Sequence, residues 1–245
     1  MSVTARVAAV HAGDAVEVLE LVDRIGSEVD WSAPLPERSR GAAWRIQAVA
    51  KRLLDIVVAG VALVLLLPLF VVVAGLIKAT SKGPVLYEWR VLGRHAKPFV
   101  GYKFRTMVVN ADELKAQYAQ SNEMTGPVFK LRDDPRVTRV GRWFRKYSID
   151  ELPQLWSVLI GDMSLVGPRP VGPDEFIGFE PWQRGKLAVI PGITCLWQVG
   201  GRSEIRDFAT WAALDLEYIR RWNLILDLRI LARTIPAVIS ARGAY

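Results

Sequence analysis

The chain has 245 residues, a formal net charge of +7 and hydrophobic residues at 51% of its positions. It has one cysteine, Cys195, which excludes an intrachain disulfide framework and a cysteine-rich metal site. Its two histidines, His11 and His95, lie far apart in sequence, so a zinc centre or a histidine-dependent triad is poorly supplied and any metal should be a hard, oxygen-preferring ion. The positive charge indicates an anionic partner: nucleic acid, a phosphorylated small molecule or a membrane leaflet.

Residues 1–45 are predicted to be an N-terminal extension and linker. The stretch SAPLPERSRG, residues 32–41, is typical of a polar linker that contains proline. Before it, apolar residues recur at helical spacing and predict a short helix: Ala8, Val10, Val16, Leu19, Val22 and Ile25. Nothing in this region predicts chemistry.

A long apolar run follows at residues 53–77, LLDIVVAGVALVLLLPLFVVVAGLI, with Asp55 as its only charged residue. The run exceeds the roughly 20 residues that cross a bilayer, although a buried core helix is the alternative interpretation. Pro68 lies just past its midpoint, where proline removes a backbone hydrogen bond and bends a helix. Basic residues flank both ends and favour the same, cytoplasmic side for each: Lys51, Arg52, Lys78 and Lys82. We therefore predict a re-entrant membrane helix over residues 46–82, broken at Pro68.

Residues 83–205 are predicted to form a small, compact domain. Short strands are expected at Pro84–Tyr87 and Pro98–Phe104, with helices over Asp112–Gln120 and after Ser148. Glycine and proline punctuate residues 161–173 and 191–201, which predicts long ordered loops. The predicted fold class is α+β and mostly helical.

Residues 206–245 are predicted to form amphipathic, interfacial helices. One apolar stripe recurs there at helical spacing: Phe208, Trp211, Leu214, Tyr218 and Trp222. Such a stripe is typical of a core face, whereas the neighbouring Arg229 and Arg233 favour a helix lying on a membrane surface. Both interpretations remain open at this point.

Two adjacent acids, Asp150 and Glu151, stand in the stretch SIDELPQLW after a basic run. Ser148 and Glu151 fit a capping box, which predicts a helix start with no further role. Cationic residues accumulate in the surrounding segments: Lys103, Arg105, Arg136, Arg139, Arg142, Arg145, Lys146 and Arg169. Arginine suits phosphate oxygens, so this set flanking two carboxylates predicts a phosphate site.

Successive helical residues project about 100° apart, so Asp150 and Glu151 are poorly arranged to share one proton. They suit different tasks at one phosphate, in which one carboxylate attacks phosphorus and the other holds a magnesium ion. Nearby arginines would keep the nucleophile ionised and attract an anionic substrate. This chemistry needs neither histidine nor cysteine.

Several longer motifs strongly resemble the bacterial sugar transferase family, the monotopic polyprenyl-phosphate phosphoglycosyl transferases. They are KRLLDIVVAG (51–60), the proline-broken run, YKFRTM (102–107), DDPRVTRVGRWFRKYSIDELPQLWSVLIGDMSLVGPRP (133–170), PGITCLWQVGGRS (191–203) and GAY (243–245). The resemblance runs from about Lys51 to the end of the chain, and its central block is highly specific.

The resemblance implies that residues 83–205 are a cytosolic catalytic domain, and it implies a role for each matching position. Asp150 matches the aspartate nucleophile that attacks the β-phosphate of a UDP-sugar, releases UMP and holds a covalent phosphosugar. Glu151 matches the glutamate that binds Mg²⁺. Lys103, Arg105, Arg145 and Arg169 match basic residues near the phosphates, and Pro68 matches the membrane break. Undecaprenyl phosphate then accepts the sugar 1-phosphate, the initiating step of exopolysaccharide, capsule, O-antigen or glycoconjugate synthesis.

The resemblance also implies partners and a location: a UDP-sugar, undecaprenyl phosphate and membrane lipid, a homodimer as one option, no nucleic acid, and the cytoplasmic face of the bacterial inner membrane. The LWQVGGRS stretch resembles relatives that transfer glucose or galactose phosphate. One departure is Leu67, where some relatives have a serine whose hydroxyl bonds to the kinked backbone. The alternatives are a hydrolase with the same nucleophile and a basic, membrane-tethered module that binds nucleic acid or anionic lipid without catalysis.

Overall fold

The computed structural model describes residues 15–36, 39, 41–200 and 205–241. The predicted helix residues Ala8 and Val10, the end of the LWQVGGRS stretch and the closing GAY lie outside this range. The helices, in chain order, are α1 (Ala15–Ser27), α2 (Ala42–Leu65), α3 (Leu67–Thr80), α4 (Ala111–Leu114), α5 (Arg139–Lys146), α6 (Gln154–Ile160), α7 (Pro173–Ile177), α8 (Pro181–Arg184), α9 (Leu196–Gly200), α10 (Phe208–Arg221) and α11 (Leu224–Ser240). Short 3₁₀ turns cover Arg94–Ala96, Lys115–Ser121, Ile149–Glu151 and Gly185–Ala188.

The described strands form two small sheets. Strands β1 (Leu86–Leu92) and β2 (Pro98–Phe104) pair as an antiparallel hairpin, with Leu86 opposite Phe104 and Leu92 opposite Pro98. Strands β3 (Ser164–Val166) and β4 (Gly192–Thr194) form a short parallel pair. The prediction of a mostly helical α+β fold is confirmed, and the second predicted strand has the predicted bounds.

Helices α2 and α3 meet at a bend of 59°. The break is at Leu66, two residues before the predicted position, and Pro68 occupies the first turn of α3, where its missing N–H removes no intrahelical bond. The N–H of Leu66 still donates to the Ala62 carbonyl, and its own carbonyl accepts from the N–H of Phe70, both at 2.9 Å. The backbone therefore keeps partners across the bend without a serine at Leu67.

This helix pair leaves a continuous row of large apolar side chains exposed, which is unusual for the surface of a folded domain. They include Ile46, Val49, Leu53, Val57, Val61, Val64, Leu65, Leu67, Val71 and Val72. Among the described residues, no single helix has both the length and the apolar character to cross a bilayer, whereas α2 and α3 meet those criteria only as a bent pair.

The middle of α2 is tied to the rest of the fold by charged side chains. Arg52 donates to the carbonyl oxygens of Val158 and Leu159 at 2.6 and 2.9 Å. Asp55, one turn further along α2, accepts from the hydroxyl of Ser164 at 2.8 Å and from the next backbone N–H at 3.0 Å. These bonds join α2 to the end of α6 and to β3.

A second tie lies beside the first and is built around Asp227 of α11. Its carboxylate accepts from Lys51 at 2.6 Å, from the Tyr218 hydroxyl at 2.7 Å and from the Trp222 indole N–H at 3.0 Å. Lys51 also donates to the Val166 carbonyl at 2.8 Å. One buried carboxylate thus joins α2, α10, α11 and β3.

The N-terminal segment packs on the domain more closely than the prediction of an extension and linker over residues 1–45 suggests. Val22 of α1 is buried in the same apolar cluster as Phe176 of α7. Trp31, in the segment that follows, stacks on His95 with ring centroids 5.4 Å apart. The described part of this segment is therefore integral to the core.

The C-terminal stripe proves to be a core face in α10. Phe208, Trp211, Tyr218 and Trp222 are buried, and the indole of Trp211 stacks on that of Trp197 at 4.0 Å. The membrane-surface interpretation of this stripe is therefore wrong, because Phe208 and Trp211 belong to one buried apolar cluster and Tyr218 and Trp222 to another. Helix α11 behaves differently and leaves four apolar side chains exposed: Ile225, Leu228, Ile235 and Ile239.

Candidate active site

One cleft of about 690 Å³ brings together all the residues predicted to act on the phosphates. Its lining includes the carboxylates Asp150 and Glu151 and the four predicted cations, Lys103, Arg105, Arg145 and Arg169. Pockets of roughly 300–1,000 Å³ hold substrates and cofactors of ordinary size. These six side chains come from four stretches separated along the chain, so their convergence is a property of the fold.

Helix α5 approaches the end of β2 closely because of Gly141. A Cβ atom at this position would lie 2.1 Å from the Thr106 carbonyl oxygen, so only glycine fits. Thr138 caps the helix, and its hydroxyl accepts from the Gly141 N–H at 2.9 Å. The contact brings Arg145 beside β2, where its Nε donates to the Thr106 hydroxyl at 2.9 Å.

The capping box predicted for Ser148 and Glu151 is wrong. Ser148 has a left-handed backbone with φ of 54°, its side chain makes no cap bond, and its N–H donates to the Arg145 carbonyl at 3.1 Å. An N-cap residue needs an extended backbone, so Ser148 ends α5 instead of starting a helix. The acidic pair lies in the 3₁₀ turn Ile149–Glu151, and the following helix starts only at Gln154.

The two carboxylates have different environments despite being adjacent. Asp150 is 8% exposed, and burial, together with the negative charge of Glu151, raises its pKa to about 6. Lys103 and Arg145 act in the opposite direction and lower that pKa through their charges. Within the described chain Asp150 has no salt bridge, so its carboxylate is held close to cations without being committed to one.

Glu151, in contrast, is engaged at the cleft wall. Its carboxylate forms a salt bridge of 2.9 Å with Lys103, whose ammonium also lies 4.3 Å from the ring centre of Trp89. The side chains of this pair are 30% and 19% exposed, so both are accessible from the cleft. The arrangement gives one buried, weakly held carboxylate and one accessible, paired carboxylate.

The cations of the cleft also differ in the partners that they contact. Arg105 donates to the carbonyl oxygens of Pro84 at 2.6 Å and Ser81 at 3.2 Å, which ties it to the end of α3, and its buried Nη1 has no hydrogen-bond partner in the described chain. Arg169 lies over the Trp211 ring at 5.9 Å. The assignment of both residues to phosphate binding stays a prediction.

Sequence reasoning treated Arg136 only as one of the cations and missed its partner, Asp134. The two form a buried bidentate pair with distances of 2.9 and 2.7 Å, and Arg136 also donates to the Ala111 carbonyl at 3.1 Å. Its charge is therefore neutralised within the fold. The spacing Asp-Pro-Arg could have indicated this local pair. Thr106, the partner of Arg145, lies in the YKFRTM motif, but its residue type does not identify Arg145 as its partner.

The donor set fits a magnesium ion held partly by substrate. Among the described residues, no group of three His, Cys, Asp or Glu side chains could hold a metal ion. Mg²⁺ is commonly bound by one or two carboxylates together with substrate phosphates and water, so the accessible carboxylate of Glu151 in a cation-lined cleft is compatible with it.

The bacterial sugar transferase family model matches residues 46–241 of this chain. The chain belongs to the bacterial sugar transferase family. The match covers all six cleft residues and excludes the N-terminal segment. This match favours a transferase over the alternative of a binding module without catalysis.

Individual relatives agree with the family. The exopolysaccharide production protein ExoY of Sinorhizobium fredii (strain NBRC 101917 / NGR234) is 43% identical over 209 residues, which cover 84% of this chain and 92% of that protein. The undecaprenyl-phosphate galactose phosphotransferase of Salmonella typhimurium (strain LT2) is 41% identical over 208 residues, 83% of this chain and 43% of that protein. The UDP-glucose:undecaprenyl-phosphate glucose-1-phosphate transferase of Caulobacter vibrioides is 40% identical over 202 residues, 80% of this chain and 72% of that protein.

Proposed function

We propose that this bacterial sugar transferase moves a hexose 1-phosphate, of glucose or galactose, from a UDP-sugar to undecaprenyl phosphate and releases UMP. The names of the relatives from Salmonella and Caulobacter support the substrate classes. One observation carries the proposal: the cleft contains a buried carboxylate, Asp150, close to the cations Lys103 and Arg145 but free of a salt bridge within the described chain.

In the first half of the proposed reaction, a carboxylate oxygen of Asp150 attacks the β-phosphorus of the UDP-sugar. The new O–P bond replaces the bond to UMP, which leaves with the bridging oxygen and its electron pair. Asp150 suits this step because a weakly solvated carboxylate has little water to displace, while Lys103 and Arg145 favour its ionised form. The product is an aspartyl phosphosugar and free UMP.

In the second half, an oxygen of the acceptor phosphate attacks the same phosphorus, the aspartyl O–P bond breaks, and Asp150 returns to its carboxylate form. Glu151 would hold Mg²⁺ together with the diphosphate. The ion would supply positive charge that neutralises the phosphate oxygens. Lys103, which bridges Glu151 and the Trp89 ring, orients this carboxylate.

The proposal includes a position at the cytoplasmic face of the bacterial inner membrane. It is supported by the exposed apolar faces of α2 and α3, by the bend between them, and by the ties through Arg52 and Asp55 that join the middle of α2 to α6 and β3. A re-entrant pair with both ends in the cytosol would hold Asp150 where a soluble nucleotide sugar and a lipid phosphate meet.

The test uses protein in nanodiscs with magnesium, UDP-glucose or UDP-galactose and no acceptor. We expect labelled UMP to exchange into the UDP-sugar, and intact-protein mass spectrometry to detect an added hexose phosphate. Asp150→Asn should abolish both signals, whereas Asp133→Asn, a change of an exposed carboxylate outside the cleft lining, should keep them. Exchange that persists in Asp150→Asn would refute this nucleophile, and release of hexose phosphate to water in the presence of acceptor would identify a hydrolase.

A further inference from the structure

A second, smaller pocket of about 170 Å³ adjoins the catalytic cleft. Three residues line both cavities: Ser148, Glu151 and Gln198. The rest of the lining is mostly apolar and comes from the segment before α6, from α6 itself, from β4 and α9, and from α11, and it includes Leu152, Leu155, Ile193, Thr194, Thr234 and Ala237. Asp150 lines only the larger cleft, so the small pocket opens on the Glu151 side of the acidic pair.

Resting on the proposed function, we propose that this pocket binds the isoprene unit next to the phosphate of the acceptor lipid. The lining beyond the shared boundary is mostly apolar, and the hydroxyls of Thr194 and Thr234 are bonded to each other, which suits a hydrocarbon better than a sugar or a nucleobase. A cavity of roughly 150 Å³ with apolar walls holds one benzene molecule, and a five-carbon isoprene unit is similar in size.

Because the two cavities are connected, a lipid with its first isoprene unit in the small pocket would have its phosphate in the cleft. An isoprene unit in the pocket brings its phosphate to the boundary at Glu151, whose partner Lys103 is a cation that the phosphate can meet. The remaining tail can leave along α11, because Ile235 and Ile239 are exposed beside the pocket residues Thr234 and Val238.

The wall formed by α11 is held in place by polar bonds. The hydroxyl of Thr234 lies 2.8 Å from that of Thr194 in β4 and also donates to the Ile230 carbonyl at 2.8 Å. In the first turn of the same helix, Asp227 is held by a salt bridge with Lys51 of α2. The pocket therefore has a rigid shape that can select the first isoprene unit.

The test fills the pocket with Ala237→Phe and uses Leu228→Phe, an exposed position of the same helix that lines neither cavity, as the matched control. The acceptors are undecaprenyl phosphate in mixed micelles and the two-unit analogue geranyl phosphate. We expect Ala237→Phe to raise the KM for both acceptors at least about tenfold, since the displaced apolar surface loses its burial. UMP exchange, which needs no acceptor, should stay within about twofold in both variants.

An unchanged KM for geranyl phosphate in Ala237→Phe, with UMP exchange intact, would overturn the lipid pocket and leave the proposed function standing. If the unmutated protein shows no exchange of UMP into the UDP-sugar, the proposed function is instead refuted. If Ala237→Phe loses exchange through misfolding, Ala237→Leu repeats the test with a smaller side chain, and the same KM criterion applies.

Discussion

Two buried carboxylates illustrate how differently two regions of this molecule use charge: Asp227 lies where α2 meets α11, and Asp150 lines the cleft. Asp227 is 1% exposed and accepts hydrogen bonds from Lys51, Tyr218 and Trp222. Asp150 is 8% exposed, has no salt bridge in the described chain, and has a pKa raised to about 6. The first carboxylate is fully compensated and stabilises the fold, whereas the second is left available for a substrate.

The largest effect on stability is expected from removing the cation beside Asp227. Lys51→Met should lower the free energy of unfolding by about 3 kcal/mol or more, because it leaves a buried carboxylate without its counter-charge. Thermal and denaturant unfolding in detergent would measure the loss. The control is Arg221→Met, which removes an exposed pair with Glu217 and should cost under about 1 kcal/mol. Equal costs for both variants would contradict the structural role of the tie.

The same chemical change in both carboxylates should have opposite effects on stability. Burial raises the pKa of Asp150, so between its unfolded value near 3.8 and about 6 the folded protein binds the extra proton, and stability falls as pH rises through that window. Asp150→Asn removes this penalty and should raise the free energy of unfolding at pH 8 by about 3 kcal/mol, with little gain at pH 4.

Asp227→Asn is the matched comparison and should destabilise the protein at pH 8, because it removes the charge that Lys51 neutralises. Unfolding curves at the two pH values would measure both variants. A loss of stability in Asp150→Asn at pH 8 would show that its carboxylate is compensated as well as Asp227.

The charges around Asp150 should also appear in the pH dependence of turnover. We expect kcat/KM for the UDP-sugar to fall below an apparent pKa near 6, as the nucleophile becomes protonated. Lys103→Met should move this acidic limb to higher pH by about one unit, because the Lys103 charge lowers the pKa of Asp150. Lys97→Met, which lies outside the cleft lining, is the control and should leave the limb in place. A limb that stays at its pH in Lys103→Met would refute the coupling.

The smallest expected effect concerns the turn that presents the acidic pair. Ser148→Ala should change the free energy of unfolding by less than about 0.5 kcal/mol, because the Ser148 hydroxyl makes no cap bond. Thr138→Ala, in contrast, removes the cap of α5 and should cost about 1 kcal/mol. Denaturant unfolding of the two variants would separate them. A larger loss for Ser148→Ala would show that the Ser148 hydroxyl stabilises this turn.

Local patterns in the sequence were informative wherever the physical cause is itself local. The apolar run at residues 53–77 predicted a broken helix because length, composition and proline act within the segment. The strand Pro98–Phe104 and the acidic pair were likewise found from short stretches. The bend was placed two residues too late, because proline fits the first turn of α3 without breaking it.

Interpretations that depended on distant partners were less secure. The stripe containing Trp211 and Tyr218 has the same periodicity whether it faces a core or a membrane, and only the packing of α10 against its neighbours decided between them. Ser148 and Glu151 have the spacing of a capping box, but the end of α5 imposes a left-handed backbone on Ser148. Spacing carries no information about such constraints.

Residue types and their order alone establish that a cation-rich segment surrounds two acids, that an apolar run long enough for a membrane precedes it, and that a disulfide framework and a cysteine-rich metal site are excluded. Which cations act on the acidic pair depends on the tertiary structure. Arg136 is neutralised by Asp134, whereas the charges of Lys103 and Arg145 act on Asp150. The tertiary structure also decided that Asp150 is desolvated and Glu151 accessible. The physical reason is that charge is fixed by residue type, whereas solvation and pairing depend on groups brought together from distant parts of the chain.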